Sequence, residues 1–210
     1  MIISPILPQI GDDLGIADAA LGTLVSAYSL MVGIFAILSG PVSDRIGRRR
    51  ILLIGCGTMT VALMLHTLVS DYASFLAVRV FAGMAGGILS GAAVSYIGDY
   101  FPYERRGWAT GWVMSGSAFG QIAGIPIGIV LAGQWGFKAP FYIFAVTMAA
   151  TILLLFFRVP QPPGKQSLEQ LTVRKAAADY AAMLRRPEVA WAAVAYFVMF
   201  LGVSIFTVYL

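Results

Sequence analysis

The sequence predicts an all-α membrane protein, on three observations. First, the 210-residue chain is 59% hydrophobic and 11% charged, whereas soluble domains carry roughly 25% charged residues; its mean hydropathy is +0.83. Second, five stretches, about 20–40, 51–69, 73–97, 108–132 and 139–157, are apolar over the length that crosses about 30 Å of hydrocarbon at ~1.5 Å per residue. Third, the polar segments between these stretches alternate in charge.

Taken in order, "MIISPILPQI" is apolar for half a span before Gly11-Asp12-Asp13. It reads as the exit end of a first helix, so the chain is expected to be a fragment with helix 1 truncated. The five stretches become helices 2 to 6, and a further apolar run from Ala190 to Leu210 becomes most of helix 7. The segment 41–50 carries Arg45, Arg48, Arg49 and Arg50. The segment 98–107 carries Arg105 and Arg106, and 158–188 carries Arg158, Lys165, Arg174, Lys175, Arg185 and Arg186. The opposite segments hold Asp12, Asp13, Asp18, Asp71 and a single cation, Lys138. The positive-inside rule makes the arginine-rich side cytoplasmic.

The long segment 158–188 divides the chain. It opens on the Pro-rich "RVPQPPGKQ". Ser167 and Gln170 then have the spacing of a capping box. Leu168, Leu171, Lys175, Met183 and Leu184 follow with the pattern of a basic amphipathic helix at the membrane surface. The expected organisation is a transmembrane bundle over 1–157, a cytoplasmic linker over 158–188 and helix 7 over 189–210, opening a second bundle. Cys56 is the single cysteine, so there is no disulfide framework.

The most informative stretch is "GPVSDRIGRRR" at 40–50. Topology alone requires the arginines. It does not require Gly40, which lets helix 2 end against a neighbour, Gly47, which permits a tight turn, or Asp44, which suits a helix terminus. The pattern Gly40, Asp44, Arg45, Gly47, Arg48 and Arg49 resembles motif A of the major facilitator superfamily, with Val42 where leucine is commoner. The resemblance implies a conformational latch in which Asp44 meets a helix of the second half. It also implies the major facilitator fold, of which this chain would supply the N-terminal six-helix bundle.

Four further stretches carry the same resemblance. Arg79 lies inside helix 4, where a central arginine costs about 2.5–3.5 kcal/mol on insertion scales. It either snorkels to the outer interface or faces the central cavity. With Gly83 it is similar to motif B, which implies a part in proton coupling, although no Asp or Glu lies deep in any span to serve as its counter-charge. Gly83, Gly87 and Gly91 on helix 4, and Gly116, Gly120, Gly124 and Gly128 on helix 5, repeat every fourth residue and predict close backbone approach. Pro126 predicts a kink in helix 5. "GSAFGQIAGIPIG" partly resembles motif C, with Ile125 where glycine is usual, and so favours export. "GQWGFKAPF" and "GDYFPYERRGWATG" resemble the segments opening helix 6 and joining helices 4 and 5, with Lys138 in place of arginine. Asp99 is expected either to pair with Arg45 or Arg48 or to be a plain helix-end charge.

Tyr28, Ser29, Gln121 and Thr147 are polar residues within spans, and Gln121 and Tyr28 are taken as substrate-path candidates. His66, near the outer end of helix 3, reads as an interfacial polar residue. No residue pattern points to an enzyme or a metal site, and the arginine run has no aromatic interleaving for nucleic acid. The expected function is alternating-access transport of a small organic molecule by a multi-pass protein of the plasma (inner) membrane. It would be proton-coupled efflux, with the proton gradient and no cofactor as its energy source and a monomer as the full-length form. The alternatives are a proton symporter or facilitator for uptake, or a non-transporting sensor or assembly protein on the same scaffold.

Overall fold

The computed structural model describes residues 3–162 and 173–209. Among the described residues all regular structure is helical. After a 3₁₀ turn at Ser4–Ile6 come α1 (Leu7–Leu14), α2 (Asp18–Ile46), α3 (Arg48–His66), α4 (Tyr72–Tyr100), α5 (Tyr103–Trp135) and α6 (Lys138–Arg158), then α7 (Val173–Leu184) and α8 (Pro187–Tyr209). Helices α2 to α6 are long and apolar enough to cross a membrane, and α8 is apolar over Pro187–Met199. The chain forms two compact units, Met1–Ser167 and Leu168–Leu210. The first holds α1 to α6 and the second α7 and α8. The expected capping residues Ser167 and Gln170, with Leu168 and Leu171, lie outside the described residues.

The helix ends correct the sequence reading. Helix 1 does not stop before Gly11. It runs on through Asp12 and Asp13 to Leu14, where Gly15 closes it in the left-handed conformation at φ 63°. Helix 2 continues through Pro41, so Gly40 to Ile46 are helical and the expected cytoplasmic segment 41–50 shrinks to Gly47. Gly47 has φ 102° and ψ 136°, a backbone region closed to side-chain-bearing residues without strain. The segment 98–107 likewise shrinks to Phe101-Pro102, because α4 ends at Tyr100 and α5 begins at Tyr103. Hydropathy marks where a helix enters hydrocarbon. Backbone hydrogen bonding carries it further, into the polar interface.

Helix α4 is central, packing along α2 and also against α3. Its glycine stripe makes the first contact possible. A Cβ at Gly83 would lie 2.5 Å from the Tyr28 carbonyl oxygen, one at Gly87 2.6 Å from the Val32 carbonyl oxygen, and one at Gly91 2.7 Å from the Ala36 carbonyl oxygen. The equivalent stripe on α5 is divided: Gly128 is buried and Gly124 partly so, but the other two glycines are open. Gly116 and Gly120 have nothing among the described residues within 4 Å of an added Cβ, and both are exposed. Helix α5 runs unbroken through Pro126.

Two apolar clusters hold the helix ends. One gathers Ile6, Ile10, Leu24, Val69, Phe75 and Phe137, where α1, α2 and α4 approach the outer ends of α3, α5 and α6. Gln9 adds a hydrogen bond across it, donating to the Ala132 carbonyl at 3.1 Å. The other cluster packs Ile51, Leu52 and Ala92 near the inner ends of α3 and α4. Asp71 starts α4 with a capping box. It accepts from the Ser74 backbone N–H at 2.9 Å, and Ser74 Oγ accepts from the Asp71 N–H at 3.2 Å. Accepting that backbone N–H holds the Asp71 carboxyl below its ordinary value.

Candidate functional site

The inner ends of α2, α3 and α4 meet at one guanidinium. Because α2 remains helical to Ile46 and α3 starts at Arg48, this arginine falls back over the last turn of α2. Its Nη2 pairs with Asp44, and its Nη1 donates to Ser43 Oγ and, at 3.3 Å, to the Gly40 carbonyl. Its Nε donates to Asp99 Oδ2 at 2.5 Å, bringing in α4. The Arg48 side chain is 14% exposed, whereas Asp44 and Asp99 are 48% and 43% exposed. Each ion pair alone is screened and worth about 0–1 kcal/mol. Their effect lies in geometry, since one planar fork sets the positions of three helices. Asp99 therefore sits with Arg48, while Arg45 is exposed.

Arg49 works on the other side of α3. Its backbone N–H donates to Gln161 Oε1 at 3.2 Å, and its guanidinium donates to the Phe156 carbonyl while standing 5.3 Å from the Phe156 ring. Tyr96 Oη donates to the Pro160 carbonyl at 2.9 Å. A cation on the last carbonyls of α6 complements that helix's dipole. Together these bonds fasten the end of α6 to α3 and α4.

Between the two ends of the bundle lies a cavity of about 310 Å³. Tyr28 of α2, His66 of α3, Arg79 of α4, and Thr147 and Thr151 of α6 line it, within an otherwise apolar wall that includes Ile6, Met59 and Phe144. Arg79 does not snorkel; it is 8% exposed. Its Nε donates to the Leu24 carbonyl at 3.3 Å, and its guanidinium carbon stands 4.3 Å from the centre of the Tyr28 ring. The Gly83 contact brings the Tyr28 backbone against α4, one turn from Arg79, which places that ring. A desolvated cation–π contact is worth about 2 kcal/mol and a charged hydrogen bond about 1.5–3 kcal/mol. Together they are comparable to the insertion cost of about 2.5–3.5 kcal/mol. Two Nη groups remain without a protein partner among the described residues.

His66 was not legible as a cavity residue. It is buried, stacked on Phe141 at 4.5 Å between ring centroids and edge-on to Phe75 at 5.6 Å. Its Nδ1–H donates to the Ala62 carbonyl at 2.7 Å, and its buried Nε2 has no partner among the described residues. Its ring partners come from the next helix, α4, and from the distant α6. The only local signal was an unpaired histidine in an apolar run. Gln121, by contrast, is exposed on α5 and does not line the cavity; Thr147 does, with its hydroxyl donating to the Ile143 carbonyl at 2.7 Å.

Comparison with known proteins agrees with this architecture. The multidrug resistance protein MdtG of Serratia proteamaculans is 31% identical over 180 residues, covering 83% of this chain and 44% of MdtG. The MFS-type transporter YceJ of Bacillus subtilis is 26% identical over 201 residues, covering 96% of this chain and 50% of YceJ. Among solved structures, the proton:xylose symporter XylE bound to 6-bromo-6-deoxy-D-glucose superposes with a TM-score of 0.69 at 19% identity, over 77% of this chain and 41% of XylE. The chain thus spans about half the length of the curated relatives it matches. The family model of the Major Facilitator Superfamily matches residues 1–210, and the chain belongs to that superfamily.

Proposed function

We propose that this chain supplies one half of an alternating-access transporter that moves a small organic molecule, coupled to protons and in the direction of export. One observation carries the reading: Arg79, a buried charge on a membrane-spanning helix, faces a half-open cavity with two donor groups unused among the described residues. Charge in such a place marks a path for substrate or ion. MdtG's name and the Gly124–Gly128 stretch favour export.

Alternating access needs two halves that rock about a site between them. The exposed Gly116–Gly120 part of α5 provides a surface for the portion of the relatives that this chain does not cover. The Asp44–Arg48–Asp99 cluster provides the inner-face latch, with Asp44 half-exposed and so able to meet a further helix. The expected location is the plasma membrane.

The test is transport by the protein expressed from its complete gene in inverted vesicles with an imposed pH gradient. Substrate-dependent proton flux from a panel of organic solutes is the expected result. No flux and no uptake across the panel overturns the reading. Flux that runs in the uptake direction replaces export with symport.

A further inference from the structure

The cavity's polar groups define what it will hold. Among the described residues Arg79 is the one residue of formal charge that lines it, and no carboxylate does. Tyr28 and His66 are the other titratable liners among them. The hydroxyl protons of Thr147 and Thr151 are already used, donating to Ile143 and Thr147 carbonyls at 2.7 and 2.9 Å. The donors left over among the described residues are the Nη groups of Arg79 and the Tyr28 hydroxyl, and most of the wall around them is apolar. A cationic ligand would meet a like charge with no counter-ion. A neutral ligand can accept the guanidinium's hydrogen bonds but leaves its charge uncompensated. An anion matches them with charge-assisted bonds.

His66 adds a second condition. A carbonyl can only accept, so the bond to Ala62 commits the Nδ1 proton. Nε2 is then a bare lone pair, buried between Phe75 and Phe141. A proton taken from solvent converts Nε2 into a donor. The helices packed on α3 bring no acid to this ring from the cavity wall: α4 offers Arg79, α2 offers Tyr28, and α6 offers only hydroxyls and apolar groups. An imidazolium here would share the cavity with Arg79 and with no carboxylate among the described residues, and a bound anion supplies the counter-charge that is missing.

We infer that this cavity binds an organic monoanion with an apolar body, its charge seated on Arg79, and that binding is linked to uptake of one proton at His66 Nε2. The inference rests on the transport reading only in calling this ligand the substrate. Bound together, the anion and the proton add no net charge to the site.

The test is binding to the purified full-length protein, using benzoate, benzamide and benzylammonium as probes of one shape and three charges, from pH 8 to pH 5.5. Benzoate should bind at least tenfold more tightly than benzamide, and benzylammonium should not compete with it. Benzoate affinity should rise by up to tenfold for each unit of falling pH where His66 titrates. Arg79→Gln should lose at least tenfold for benzoate and leave benzamide unchanged. His66→Gln should keep benzoate binding and flatten its pH dependence. Benzamide binding as tightly as benzoate, absence of benzoate binding, displacement by benzylammonium, or a pH slope that survives in His66→Gln each overturns the inference. If either variant fails to fold, the three probes on the unaltered protein still decide. Vesicle flux of some other solute without benzoate binding would sink this inference and leave transport standing. Benzoate binding with every expected feature but no flux in vesicles would do the reverse.

Discussion

Helices α4 and α5 carry nearly the same sequence signal, glycines at every fourth position, and reach opposite ends. On α4 the stripe is filled by the backbone of α2 at Gly83, Gly87 and Gly91. On α5 it is open at Gly116 and Gly120. Small residues permit approach but do not supply the partner, so a stripe shows where a helix can be met. The difference also separates roles. The α4 stripe fixes the Tyr28 ring against Arg79 and so builds the cavity wall. On α5 only the Gly116–Gly120 part of the stripe is open, since Gly128 is buried.

The largest expected effect that would break this contrast is at Gly87. Gly87→Leu drives a side chain into the Val32 carbonyl and the Phe35 side chain. Overpacking of this kind costs about 1–3 kcal/mol or more, and the expected outcome is loss of the monodisperse peak of full-length protein in detergent. Stable, well-folded Gly87→Leu protein would refute the close packing. Gly83→Ala sharpens the point with a single methyl group. It should lower the melting temperature by several degrees, corresponding to about 1–3 kcal/mol, and weaken whatever depends on the Tyr28–Arg79 contact. Gly47→Ala belongs next, at about 1–3 kcal/mol for a non-glycine residue at φ 102°, read as a fall in melting temperature with normal membrane insertion. Gly120→Leu is the counterpart on α5. Its effect on bundle stability should stay within about 0.5 kcal/mol, while vesicle transport is lost. A large stability loss there would show that α5 is packed like α4.

The starts of the two helices give the smallest effect. Helix α4 begins with the Asp71–Ser74 capping box, whereas α5 begins after Pro102 with no side-chain cap bond. Because the Ser74 N–H depresses the Asp71 carboxyl, the ionised cap stabilises the fold above the ordinary carboxylate pKa of about 3.9. That contribution disappears as pH falls through the lower folded-state value. Asp71→Asn should therefore change little at neutral pH and remove a small part of the loss of stability in acid, measured by melting curves below pH 4. An unchanged acid limb would mean the cap bond is not formed.

The spans were legible because hydropathy is a property of each segment by itself. Their ends were not, since Gly40 read as the end of helix 2 while the backbone continues helical to Ile46. The participation of Asp99 was legible as a choice between two arginines. Selecting Arg48 required knowing that Gly47 alone separates α2 from α3, which turns Arg48 back onto Asp44. Arg79 announced itself as a charge in an apolar run. His66 did not, because a lone histidine gains meaning only from Phe75, Phe141 and the cavity between them.

The joint between α2 and α3 has a mechanical consequence. Helices of 29 and 19 residues are connected by one glycine, whose N–H bonds to the Ser43 carbonyl at 2.9 Å and whose own carbonyl accepts from Ile51 at 3.1 Å. Such a joint has no slack. A tilt of α2 cannot be absorbed by paying out chain; it must drag α3 with it, or break the Arg48 cluster that braces the corner. The pair then behaves as a bent lever, and any flexing during a transport cycle has to be found at other corners of the bundle.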